Sequence, residues 1–241
     1  TKTYHYDQNG NLLKIVDHLK RETKYSYDAL NRVVTESDAD GNTSTYEYDV
    51  LGNLSKMTDA NGHSSSYGYD ANKKLVLYTD PNGQATAFKY DPLGRIIETV
   101  APTGSKQSFS YDALGNRLSE TSGEGHTTTY SYDSMNRVSS KKRPTGGETQ
   151  YAYDTTGSLA KETDANGHST NYVNDLYGRV TKRTLPNEAA YTYAYDALGR
   201  LTNQTGPQGL SKTYSYDVSG NLVKETDQSD RSNHYSYDKV G

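Results

Sequence analysis

The chain of 241 residues carries 26 basic and 30 acidic side chains, a net charge of −4 and no cysteine, which excludes a disulfide framework, a thiolate metal site and a cysteine nucleophile together. Its lysines and arginines are dispersed, so there is no basic patch for nucleic acid, and no apolar run approaches the roughly 18 residues that a membrane helix needs. The 24 tyrosines supply the missing apolar area, and a ring with a polar tip suits a thin sheet, packed on one side and wet on the other, better than a thick core.

In chain order the first element is Tyr4-His-Tyr6-Asp7, and it returns every 21 residues. Tyr25 and Tyr27, Tyr46 and Tyr48, Tyr67 and Tyr69, Phe88 and Tyr90, Phe109 and Tyr111, Tyr130 and Tyr132, and Tyr151 and Tyr153 each frame one intervening residue and lead into aspartate. Asn174 alone breaks the second column before Tyr193 and Tyr195 resume it. An insertion-free period takes precedence over length as a guide to organisation, and makes residues 1–241 a single array of about 11 repeats, a segment of a longer protein or one whose ends pair with other copies.

Residues 45–70 show one unit clearly. Tyr46 and Tyr48 alternate with Thr45 and Glu47, Asp49 to Gly52 makes a corner, Leu54 to Thr58 alternates again, and Asp59 to Gly62 makes a second corner. Period two means strand. Aspartate opens each corner, as at Asp28, Asp49, Asp59 and Asp80, and glycine closes it, as at Gly52, Gly62 and Gly83. That is the chemistry of a type I turn followed by a glycine bulge. Asn31 and Asn136 are tolerable at the closing position, whereas Lys73 is a misfit. Pro81, Pro92, Pro102, Pro144, Pro186 and Pro207 all occupy the second position of a corner, where a fixed φ near −65° is favourable, and none lies within a strand.

Two strands and two reversals per unit predict an all-β fold: tandem 21-residue hairpins in a long antiparallel sheet of about 22 strands, curled into a spiral, tube or partial shell. The alternative is a β-solenoid with one repeat per coil, which would pair residue i with i+21 in parallel. The tyrosine columns form rows on one face, interleaved with Leu12, Val33, Leu54, Leu75, Leu159 and Leu201 of neighbouring strands. One rim of the ribbon is apolar, with Leu30, Leu51, Leu93, Leu114, Met135, Leu176 and Leu198, and is expected to be a seam for the next coil. The other is polar, with Asn61, Asn82, Asn166 and Asn187.

The pattern YxYDxxGNLxxxTDxNG resembles the RHS or YD-repeat family from Tyr4 to Gly241. The resemblance implies a β-strip that spirals into a hollow shell, as in bacterial RHS toxins, the C components of insecticidal toxin complexes, wall-associated proteins and teneurins. It therefore implies a secreted or cell-surface setting, further repeats or other copies of the chain as partners, and an enclosed C-terminal toxin domain. No signal peptide is read in this segment. The core that ends the repeat region of polymorphic toxins, with its self-cleavage site, has no counterpart, and Lys239-Val240-Gly241 reads as half a corner.

No catalytic, cofactor-binding or metal-ligating residue is assigned, and the chain is expected not to be an enzyme. His63, His126 and His168 share one column with Asn42, Gln84 and Ser105, the mark of a solvated polar position. The sequence DANGH at 59–63 and 164–168 has the alternating Asp and Asn of a calcium loop but lacks the glutamate and flanking helices of an EF-hand. Tyrosine rows beside polar side chains could hold carbohydrate, which makes a surface adhesin or filament the rival function. The units unlike the rest are those of Arg117, in a leucine position, and of Asn174.

Overall fold

A computed structural model describes residues 2–238; the half-corner read at Lys239, Val240 and Gly241 lies outside them. Among the described residues twenty-three strands, from Thr3–Tyr6 to Ser232–His234, make antiparallel sheet, most of them alternating between six and five residues. The chain divides into two compact units, Thr1–Ser110 with Ser119–His126, and Tyr111–Leu118 with Thr127–Gly241. Within each unit strands pair antiparallel with their sequence neighbours, as Thr3–Tyr6 does with Leu12–Val16 in the first and Thr127–Tyr132 with Val138–Lys142 in the second. In the first, Tyr27 lies opposite Val33 and Tyr48 opposite Leu54; in the second, Tyr153 lies opposite Leu159 and Tyr195 opposite Leu201. This pairing overturns the solenoid alternative. Its physical cause is the corner, a four-residue reversal that returns the chain beside the strand it has just left.

Apart from the one that opens with Gly206, the described corners close in the same way. The Asp49 N–H donates to the Asn53 carbonyl at 2.9 Å and the Gly52 N–H to the Asp49 carbonyl at 3.0 Å, with Gly52 at φ +86°. That closure imposes a left-handed fourth residue whatever its side chain. Asn31, Asn136 and Lys73 take φ of 59°, 60° and 62°, and so do three residues not singled out by sequence, Lys20 (64°), Glu188 (64°) and Asp230 (59°). An L side chain costs roughly 1–2 kcal/mol in this region, and glycine gives back part of the gain as unfolded-chain entropy. Glu188→Gly is therefore expected to stabilise the protein by about 0.5–1 kcal/mol. A higher denaturant midpoint at unchanged slope would report it; a lower midpoint would show that the Glu188 backbone is not strained.

Among the described residues no hydrophobic side chain is fully buried, and the one buried residue is Thr149. Each unit is a single layer whose cohesion is lateral. In the strand Thr127–Tyr132, Tyr130 and Tyr132 are half-buried while Thr129 and Ser131, which alternate with them, are exposed, and the last four residues of Thr43–Tyr48 repeat the pattern. The tyrosine face is thus covered by its own neighbours, as expected of broad rings in cross-strand rows.

Candidate functional site: the tyrosine face and its corners

The corner aspartates are bonded within their own turns, Oδ1 to backbone amides and, in many, Oδ2 to a side chain. Asp28 Oδ1 accepts from the Leu30 and Arg32 amides at 2.9 and 3.0 Å, and Oδ2 from Arg32 Nε at 2.7 Å. Asp49 does the same with Leu51, Asn53 and the Asn53 side chain, and Asp59 and Asp80 hold the amides of Asn61 and His63 and of Asn82 and Gln84, beside Gly62 (φ +84°) and Gly83 (φ +77°). These donors favour the charged form. The Arg32 side chain and then its amide hold the Asp28 carboxyl below the usual range, and the side-chain bonds from Thr156 and Asn174 bring Asp154 down to about 2.

Between consecutive hairpins the ladder is short. Lys14 to Val16 pair with Glu22 to Lys24, and Thr35 to Ser37 with Thr43 to Thr45, at the second-corner end only. Toward the first corner the strands splay, and a tyrosine fills the gap. Tyr27 Oη donates to the Leu12 carbonyl at 2.9 Å, Tyr48 to Val33 at 2.8 Å, Tyr132 to Arg117 at 2.8 Å and Tyr153 to Val138 at 2.8 Å. Each hydroxyl thus serves a carbonyl at the splayed end of the neighbouring strand. The ring beneath is capped by the corner cation: Arg32 lies 4.4 Å from the Tyr48 centroid and Arg137 4.3 Å from that of Tyr153. Aspartate, arginine and tyrosine therefore form one repeated clasp.

The first tyrosine of each pair meets the short strand beside it. Tyr46 Oη donates to Glu36 at 3.3 Å, burial together with Glu36 pushes the Tyr25 hydroxyl up, and Tyr67 packs on Tyr78 with centroids 5.4 Å apart. Burial likewise pushes up Tyr69 and Tyr151. Tyr130 sits within 6 Å of both Arg117 and Lys141, whereas Tyr4 and Tyr6, at the first strand, are exposed.

The two unlike units are absorbed into this scheme. Asn174 Nδ2 donates to the Leu159 carbonyl at 2.9 Å and to Asp154 at 3.1 Å, so the amide takes over the bond a tyrosine hydroxyl makes elsewhere. Arg117 still offers its carbonyl to Tyr132. The clasp escaped sequence reasoning because its acceptor is a backbone carbonyl; the available signal was the constant 15-residue offset from each second tyrosine to the head of the preceding short strand.

His63 and His168 are exposed, each with Nδ1 beside its own corner aspartate at 3.2 and 3.3 Å, and His126 lies 3.3 Å from Glu124. Among the described residues no three His, Cys, Asp or Glu side chains converge as metal ligands, and no helix is long and apolar enough to cross a membrane. Asp59 and Asp164 each use Oδ1 on two backbone amides and place Oδ2 beside the histidine of the same corner. The apolar first-corner residues, from Leu30 to Leu198, are all exposed.

A family profile described as teneurin YD-shell matches residues 81–210. One described as RHS repeat matches residues 6–43, 27–64 and 195–231. A search of curated proteins returns no match. Among solved structures the chain is similar to a crystal structure of TcdB2-TccC3-TEV and to the Tc holotoxin pore of Photorhabdus luminescens. Each superposes with a TM-score of 0.57 at 17% identity, over 100% of this chain and 17% of the solved one. At that identity the likeness shows a shared fold, and the chain spans under a fifth of the solved proteins' length.

Proposed function

Because the chain belongs to the teneurin YD-shell family, whose profile spans residues 81–210, we propose that it is a length of wall in a hollow shell or extracellular scaffold that encloses or displays a toxin or effector. A structural shell role is the family's own. The observation that carries the finer reading is the single-layer sheet without one fully buried hydrophobic side chain among the described residues. Such a layer has a shape to offer rather than an interior in which to hold chemistry.

Two features support curvature and continuation. Pairing confined to the second-corner end, with tyrosines wedged into the other, makes each hairpin step a tapered one. The exposed leucines of the first corners are the surface a following coil would cover. We assign no catalysis to the wall, and a secreted or cell-surface setting follows from the family reading.

The test is electron microscopy of the full-length protein that contains this segment, together with limited proteolysis before and after denaturation. The expected result is a hollow particle with a fragment that resists protease until the wall is unfolded. A filament or solid globule, with every region cut at the same rate, would overturn enclosure.

A further inference from the structure

One corner of the second unit departs from the rest, and a cavity lies beside it. On the tyrosine face, the residue two positions before the tyrosine pair is Thr128, Thr149 or Thr170 in preceding hairpins, but Tyr191 here. Arg183 pairs opposite Tyr191, its guanidinium carbon 5.7 Å from the ring centroid. On its other side the ring rests on Gly206, where an added Cβ would stand 3.2 Å from Tyr191 Cε1. Gly206 holds the position that Asp164 and Asp227 hold in other corners. At this corner Pro207–Gly209 winds into a 3-10 turn, Gln208 takes φ +58°, and the Leu210 N–H donates to the Pro207 carbonyl at 3.3 Å. A side chain at position 206 would crowd the ring, so Tyr191 and the glycine that opens this corner fit together.

An open cavity of about 340 Å³ runs between Tyr191 and Leu210 toward the next hairpin, bordered by Gln204, Lys212, Asp227 and Arg231. Lys212 is paired with Glu225, and Arg231 with Asp227 at 2.7 Å. The charges at the border thus cancel, which argues against an ionic ligand. What remains is a flat ring, an aliphatic neighbour and a rim of planar amide, guanidinium and carboxylate groups. A sugar ring matches each part: its axial C–H groups carry partial positive charge and stack on the negative face of an aromatic ring, while its paired hydroxyls suit planar bidentate partners. The volume lies at the small end of ligand pockets, enough for one ring and its bound water.

We propose that the cleft between Tyr191 and Leu210 binds a neutral pyranose residue. This goes beyond the wall reading and does not depend on it. The experiment is saturation-transfer NMR and calorimetry on the whole chain with methyl β-D-glucopyranoside, methyl β-D-galactopyranoside and N-acetyl-D-glucosamine. At least one of the three binds with a dissociation constant on the order of 1 mM, as expected for a single ring. Tyr191→Thr installs the residue that neighbouring hairpins already use, so it preserves the sheet and weakens binding at least tenfold. Gln204→Ala, which leaves the ring in place, weakens it severalfold, and Tyr177→Thr on a distant corner leaves it unchanged. Absence of transfer to all three sugars, or unchanged affinity in both Tyr191→Thr and Gln204→Ala, overturns the proposal.

Discussion

Lowering the pH through about 4 and on to about 2 is expected to open the sheet at its aspartate corners before anything else gives way. The corner carboxyls of Asp28, Asp49, Asp112, Asp133, Asp175 and Asp196 are held below their ordinary value by the amides and side chains they accept from. A group whose folded pKa is depressed contributes stability that is fully present above its unfolded pKa, near 3.9, and is lost as the pH falls through the folded one. For Asp17 and Asp154 that loss extends down to about 2. Many equivalent corners titrate together, so the fall is steep although each carboxylate is solvent-accessible.

The chain contains its own control. Corners that open with Ala101, Ser122, Arg143 or Leu185 close through the same backbone bonds without a carboxylate. Hydrogen exchange followed by mass spectrometry, corrected for intrinsic rates, should show Asp133 to Arg137 losing protection in acid while Arg143 to Gly147 keeps it. Equal loss at these two neighbouring corners would mean that acid acts on the sheet as a whole and that the carboxylates are not its fasteners.

How much of this was legible beforehand depends on where the information lies. Aspartate, glycine and proline advertise a turn through their own restrictions on φ and hydrogen bonding, so the corners and the antiparallel meander could be read from Asp49, Gly52 and Pro81 directly. The tyrosine columns announced a face in the same manner. What stayed hidden is what one residue does to another's backbone. Lys20, Glu188 and Asp230 are held left-handed by ring closure and not by preference. The clasp of Tyr48 on the Val33 carbonyl leaves no mark at position 33, because any residue supplies a carbonyl. Asn174 looked like a lost tyrosine and proves to be a second donor for the same bond. The Tyr191 cleft is invisible for a further reason: Tyr191 lies outside the two tyrosine columns, and only folding sets its ring against Gly206.

The clasp also makes the largest prediction for a single substitution. Tyr153→Ala is expected to cost about 2–4 kcal/mol, and Tyr153→Phe about 1 kcal/mol. The difference separates two jobs of one side chain. Phenylalanine keeps the ring under Arg137, 4.3 Å away, and loses only the bond to the Val138 carbonyl. Alanine loses the ring as well and leaves the splayed ends of two strands with nothing between them. Because the hairpins around Tyr153 hold one another through neighbouring strands, the damage should stay local. Exchange protection should fall in Val138–Lys142 and Glu148–Tyr153 while distant hairpins keep theirs. Tyr177→Ala, at an exposed corner position, should change stability by less than about 0.5 kcal/mol. Equilibrium unfolding of the three variants decides the matter. If phenylalanine costs as much as alanine, the hydroxyl alone holds the hairpins together; if neither costs more than Tyr177→Ala, cohesion resides in the short backbone ladders and the tyrosine face is free for other work.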